Sequence, residues 1–168
     1  MKRLAIAVSV LAIGTAGCGS SSTSPSASTI KVFTVQLSPA LETPPITNAE
    51  NTGHGTAVIT IHTDTNTVDF SISMAGFPTT ANVILAHIHP GAVGVPGPAL
   101  IGVTGLSAST PLPLSTGSGT YTANAVTAAT NGVTAATNIQ NILAAPQNFY
   151  FNVHTSANPG GVMRGQLQ

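Results

Sequence analysis

Three histidines stand where their spacing could do chemistry: His87 and His89 in Ala86-His87-Ile88-His89-Pro90-Gly91, and His154 in Phe151-Asn152-Val153-His154-Thr155. Along a strand, residues i and i+2 leave the same face, about 6.5–7 Å apart at Cα. His87 and His89 therefore stand side by side while Ile84, Ala86 and Ile88 face the core. In the second run Phe149, Phe151 and Val153 take the core face, which turns Tyr150, Asn152 and His154 outward. If the two strands are neighbours, three neutral imidazoles converge into a ligand set suited to copper or zinc. With metal–nitrogen bonds of roughly 2.0–2.1 Å, the nitrogens would have to come within about 3–4 Å of one another. The plainer alternative is a hydrogen-bonded network in which His87 and His154 bond backbone carbonyls, Asn152 or Thr155.

Few other residues compete for a chemical role. Of the two remaining histidines, His54 lies between two glycines and reads as an exposed loop residue, and only it or His62 could supply a fourth imidazole. Arg164 reads either as an ion-pair partner of Asp69 or a glutamate, or as an anion-attracting group beside the histidines. Nucleophilic hydrolysis has no support, because no Gly-x-Ser-x-Gly elbow is present. Glycosidase chemistry needs paired carboxylates. The four acids are Glu42 and Glu50 in a Pro-rich loop and Asp64 and Asp69 flanking a turn, and none of them is marked for acid–base work. Asn158-Pro159-Gly160-Gly161 is turn chemistry.

The elements that must position these residues repeat with period two. Ala57, Ile59 and Ile61 alternate with Thr56, Thr60 and His62, with Val58 as an apolar exception; after Asp64-Thr65-Asn66-Thr67, Val68, Phe70, Ile72 and Met74 alternate with Asp69, Ser71 and Ser73. This predicts a β-hairpin. Further strands are predicted over 83–89, 99–103, 119–126, 148–154 and 162–167, with a Pro/Gly-rich loop from Pro90 to Pro98. Many short strands separated by turn signals imply an all-β antiparallel sandwich or barrel. The run Val126-Thr-Ala-Ala-Thr-Asn131 recurs as Val133-Thr-Ala-Ala-Thr-Asn138. Two copies do not make a solenoid, and the duplication reads as a loop insertion leading into a short helix near 138–144 that Pro146 stops.

At the N-terminus Lys2 and Arg3 precede the apolar run Leu4 to Ile13, which is a secretory signal pattern. The run is too short to span a bilayer, which takes about 20 residues. Thr15-Ala16-Gly17-Cys18 resembles the lipobox of bacterial lipoproteins, which implies a signal peptide over 1–17 and a lipid on Cys18, the chain's single cysteine. A flexible Ser-rich tether over 18–29 would hold the domain roughly 20 Å from the lipid. The expected location is the cell envelope, with the membrane as partner through the lipid and the domain on its periplasmic or extracellular side. The domain, 30–168, has about 140 residues, enough for one core.

Charged residues make up 5% of the chain, where about 25% is ordinary. Past the signal only Lys31 and Arg164 face Glu42, Glu50, Asp64 and Asp69. Nucleic-acid binding needs phosphate-neutralising positive charge, so that class of partner is excluded. A blue-copper centre needs a cysteine thiolate, and Cys18 is spoken for.

The His-Pro-Gly run at 87–91, Gly97-Pro98, the opening hairpin and the long segment from Phe149 through His154, Asn158-Pro159-Gly160-Gly161 and Arg164-Gly165-Gln166-Leu167 together resemble the CHRD domain, named after chordin. Met163, preceded by Val162, departs from the acidic residue and isoleucine usual there. The resemblance implies an immunoglobulin-like β architecture and no settled activity. The His-x-His strand with a later Val-His is also similar to the copper-ligand pattern of copper–zinc superoxide dismutases. In those enzymes a further bridging histidine follows, and here none occurs between His89 and His154. The expectation is an envelope-anchored, noncatalytic binding module carrying a His87–His89–His154 metal site, with a copper-dependent, superoxide-dismutase-like enzyme as the alternative.

Overall fold

The structure is a computed structural model and describes residues 29–130 and 132–168. The expected signal peptide, Cys18 and almost all of the tether lie outside the described residues. No described helix is long and apolar enough to cross a membrane.

The predicted hairpin is β2 (His54–His62) and β3 (Thr67–Ala75), paired antiparallel so that Ile59 faces Phe70 and Ala57 faces Ile72 across the ladder. Asn66 turns the chain in the left-handed region at φ 54°, a conformation that Asn tolerates better than most residues. A strand outside the sequence expectation, β1 (Ile30–Leu37), adds to the free side of β2. Its alternation is blurred because Ile30 and Val32 are apolar on the solvent face and Lys31 is charged on the core side. Later in the chain come β4 (Asn82–Pro90), the two-residue strands β5 (Ile101–Gly102) and β6 (Leu112–Pro113), and β7 (Gly119–Thr127). After them come a helix α1 (Ala135–Ala144), β8 (Phe149–Thr155) and β9 (Met163–Gln166).

These strands form two antiparallel sheets, one ordered β1-β2-β3-β7 and the other β5-β4-β8-β9, with β6 also on β4. The sheets stack as a sandwich and do not close, so of the two expected all-β architectures the barrel is set aside. Phe33, Ile59, Ile61, Phe70 and Ile72 of the first sheet meet Ile88, Phe151 and Val153 of the second in one core. Phe70 and Phe151 stack across the layers, with ring centroids 5.6 Å apart.

Between Val68 and Phe70 the pairing of β3 with β7 slips by one residue, a β-bulge. Ala125 sits there at φ 51° and its N–H donates to Asp69 Oδ1 at 2.7 Å, while His62 Nε2 meets Asp69 Oδ2 at 2.9 Å. Asp69 thus pairs with His62 and not with Arg164. Its carboxyl is held below the usual range, first by the Ala125 N–H.

The duplicated hexapeptide, whose first copy is described up to Thr130, adopts two structures. The first copy finishes β7, while the second caps and begins α1, with Thr134 Oγ1 accepting from the Thr137 N–H at 3.2 Å. The helix starts three residues before the expected boundary and ends at Ala144, ahead of Pro146 as expected.

Phe70→Ala removes the first sheet's side of the inter-sheet stack and is expected to cost about 3–5 kcal/mol. Equilibrium denaturation of wild type and variant measures it. A loss under about 1 kcal/mol would mean that this contact is not central to the core.

Candidate metal centre

The outward face of the second sheet is polar, and its register sets neighbours. Pairing of β4 with β8 puts His87 opposite Asn152 and His89 opposite Tyr150, and pairing of β8 with β9 puts Asn152 opposite Arg164 and Tyr150 opposite Gln166. Strand parity therefore gathers His87, His89, His154, Asn152, Tyr150 and Arg164 on one face, as the alternation of β4 and β8 predicts.

That face is nevertheless buried. His89, His154, Asn152, Tyr150 and Arg164 are each less than a tenth exposed, and His87 is half-buried. Three loops roof it. Residues 38–53 cross β9, where Arg164 Nε donates to Leu41 O at 2.5 Å and the guanidinium also bonds Thr43 Oγ1. The 91–98 loop sends the Gly97 carbonyl to His89 Nδ1 at 3.0 Å, while the Gly97 N–H donates to Tyr150 Oη at 3.2 Å. A side chain at 97 would collide with the Pro90 carbonyl, so only glycine permits this approach. The 156–161 turn brings the Pro159 carbonyl to 2.9 Å from His154 Nδ1.

These contacts assign the ring nitrogens. His89 and His154 each donate Nδ1–H to a carbonyl, which leaves Nε2 of each ring as a lone-pair donor. His154 Nε2 lies 3.2 Å from His87 Nδ1, and His89 Nε2 is buried with no hydrogen-bond partner. One nitrogen from each of the three rings lies within 4.8 Å of the others. The His87–His154 pair is already at the separation that two ligands of one ion require.

Burial holds His87 down to about 4, helped by the neighbouring His154 and His89 rings, and burial likewise lowers His89 and His154. All three rings are neutral at pH 7, the form that ligates. His54 and His62 are not part of the cluster: His54 opens β2, exposed, against the Thr52 carbonyl, and His62 is bound to Asp69.

Of the two readings of Arg164, the structure shows the ion pair with a glutamate. It ion-pairs with Glu42 at 3.7 Å and stacks on Tyr150, 4.8 Å from the ring centroid; Tyr150 in turn stacks on His89 at 4.8 Å with the rings 5° from parallel.

The sequence assigned the two glutamates no role. Both lie in the Pro-rich segment but are buried. Glu50 Oε2 accepts from Thr155 Oγ1 and Asn158 Nδ2 at 2.5 Å each. Burial pushes the Glu42 carboxyl up to about 7, against the opposing pull of Arg164 and of the Thr43 N–H. Parity alone pointed to Tyr150 and Asn152. Nothing in the sequence marked Glu42 or the two carbonyls, since such contacts depend on how loops fold back.

Between pH 6.5 and about 4 the unfolded chain takes up imidazole protons that the folded chain refuses, so stability is lost as pH falls through this window. Glu42 acts oppositely, because its folded carboxyl holds a proton longer than the unfolded one, but it is one group against three. The denaturation midpoint is expected to drop from pH 6.5 to 4, and to drop less in His87→Gln. A midpoint that is flat or rising toward acid would contradict the buried, neutral triad.

Compared with curated proteins and with solved structures, the chain shows no match. A family model described as the CHRD domain matches residues 33–167, which include every strand beyond the start of β1. By that match over most of its length, the chain belongs to the CHRD family.

Proposed function

We propose that this CHRD domain is an envelope-anchored binding module whose resident ligand is a transition-metal ion, copper or zinc, held by His87, His89 and His154. The observation that carries the reading is the convergence of three ring nitrogens within 4.8 Å, two of them from rings locked by carbonyls. Carbonyls that accept from the far nitrogen of a ligating imidazole fix its tautomer and orientation at metal sites and are worth about 10–100-fold in affinity. The unpartnered, buried His89 Nε2 supports the same reading, because a buried lone pair without a donor is costly. Imidazole sets suit copper and zinc. Anchoring rests on the signal pattern and on Cys18, whose tether would join the domain at the start of β1.

Isothermal titration of the purified domain with Zn(II) and with Cu(II) tests the site. One equivalent per chain is expected, and His87→Ala, His89→Ala or His154→Ala should each weaken binding at least tenfold. Because burial keeps the rings neutral, binding should persist below the ordinary histidine pKa of about 6.5. Binding of neither metal, or binding indifferent to all three substitutions, would refute the site. For the anchor, Cys18→Ser should move the protein out of the membrane fraction in a detergent partition. Retention there would refute lipidation.

One observation favours a second reading, a copper-dependent enzyme acting on a small oxygen species. Among the described residues the cluster offers three ligands and no fourth, and His87 reaches solvent, the open arrangement of catalytic sites. Superoxide dismutation by the copper-loaded domain, lost in His87→Ala, would establish it.

A further inference from the structure

The run Gly91-Ala92-Val93-Gly94-Val95-Pro96-Gly97-Pro98-Ala99-Leu100 carries no polar side chain. Large apolar side chains on a soluble surface are ordinarily scattered singly, yet Val93 is 77% exposed and Val95, two residues on, is 51% exposed. Leu41, 48% exposed, lines one small crevice with Val93, Arg164, Gly165 and Gln166. The loop that presents the valines is held at both ends. Gly91 N–H donates to the Asn148 carbonyl at 2.7 Å and Gln166 Nε2 donates to the Gly91 carbonyl at 2.7 Å, while Tyr150 and His89 hold Gly97. Between these points Val95 N–H closes a turn on the Ala92 carbonyl at 2.9 Å, with Gly94 in the left-handed region at φ 76°. A Cβ added at Gly94 would meet nothing within 4 Å, so the tip projects away from the domain.

Charge and position together name the partner. From Phe70 to Met163 the chain contains no Asp, Glu, Lys or Arg, so the loop can enter a low-dielectric medium without desolvating a charge of its own. Arg164 beneath it is buried and already paired with Glu42. For position, β4 ends at Pro90 opposite Phe149, whose carbonyl accepts from the Leu167 N–H. β9 lies antiparallel to β1 through Ser38 and Arg164, so the Leu167 end of β9 and the Ile30 end of β1 point the same way. The loop thus leaves the sandwich at the end where the expected tether joins it. A tether of roughly 20 Å makes contact with the bilayer intramolecular. The effective concentration is then on the order of millimolar, which favours even a weakly inserting pair of valines.

We propose that Val93, Val95 and Leu41 form a contact surface for the lipid bilayer that carries the anchor, entering the boundary between headgroups and acyl chains. The inference rests on the reading of Cys18 as the lipidated residue, and it lays the domain against the membrane where the tether alone would let it hang free. Attraction comes from apolar burial, so it is indifferent to lipid charge and to salt.

The chain has no tryptophan, so Val93→Trp puts a single indole at the loop tip, and Thr80→Trp puts one beyond the other end of β4, a strand roughly 30 Å long. Each chain, beginning at Cys18, is coupled through that thiol to a maleimide-bearing phospholipid in phosphatidylcholine vesicles, so the measurement does not depend on acylation in the cell. Bromine on the acyl chains quenches an indole only where the two meet. The indole at position 93 should be quenched roughly threefold more than the one at position 80, and equally with or without phosphatidylglycerol in the vesicles. Adding Leu41→Asp and Val95→Asp should bring quenching at 93 down to the level at 80. All of these positions are exposed, and circular dichroism checks that each variant is folded. The proposal is overturned if the two indoles are quenched alike, if quenching at 93 requires phosphatidylglycerol, or if it survives the two aspartates. A blue shift at 93 without quenching by bromine would also overturn it, in favour of a second copy of the chain covering the patch. Failure of lipidation itself is read separately, from the detergent partition of Cys18→Ser.

Discussion

A polar sheet face withdrawn from water is the constraint on which the rest of the structure depends. Antiparallel sheets in a sandwich ordinarily leave one face to solvent, and the first sheet here does so. The second does not: every residue of β8 is buried, on both faces. Each polar group on the covered face must then find a partner among groups that are not water. The loops supply several of them, through the carbonyls of Leu41, Gly97 and Pro159, and leave His89 Nε2 and Asn152 Oδ1 without one. The same withdrawal lowers the histidines and raises Glu42, so the electrostatics of the face follow from its roof. The roof in turn constrains its own sequence, since Gly97 and Gly161 stand where a side chain would strike its neighbours.

How far this could be read from the sequence depends on the range of the interactions. The hairpin of β2 and β3 and the outward parity of His87, His89 and His154 are local alternations, and they were legible. That the two histidine strands are neighbours stood only as a condition, because periodicity sets parity within a strand and not which strands pair; the pairing of β4 with β8 supplies it. β1 escaped because Ile30 and Val32 break the alternation on the solvent side. The burial of Glu42 and Glu50 was illegible for a different reason: a Pro-rich run reads as exposed loop unless one knows that it lies across a sheet. The duplicated hexapeptide makes the point within one chain. Identical residues end a strand in one copy and start a helix in the other, because Asn138 of the second copy bonds the Ala128 carbonyl of the first at 2.6 Å. Tertiary context overrides local propensity there.

With so few charges, each one has a defined station. Arg164 is held by Leu41, Thr43, Glu42 and the ring of Tyr150, and so ties the 38–53 roof to the sheet while standing one aromatic ring away from His89. It satisfies a structural role and an electrostatic one at once, since its charge adds to the burial that disfavours protonation of His89. Glu50 clamps the other end of the roof through Thr155 and Asn158. Asp69 and His62 are bonded to each other on the open face of the first sheet.

The bulge in that first sheet bears on how its outer strands would meet a foreign strand. Among the described residues β1 and β7 are the outer strands of the first sheet, and natural sheets deter edge-to-edge aggregation at such strands with bulges and with charges that point inward from the edge. On the β7 edge the slip at Asp69 and the left-handed Ala125 interrupt the row of backbone groups that a foreign strand would have to match. On the β1 edge Lys31 occupies a core-side position, its ammonium 5.5 Å from the Phe33 ring centroid, so an incoming strand there would have to bury a charge. Asp69 and Ala125 at one outer strand and Lys31 at the other thus do this in a chain that has little charge to spend on solubility.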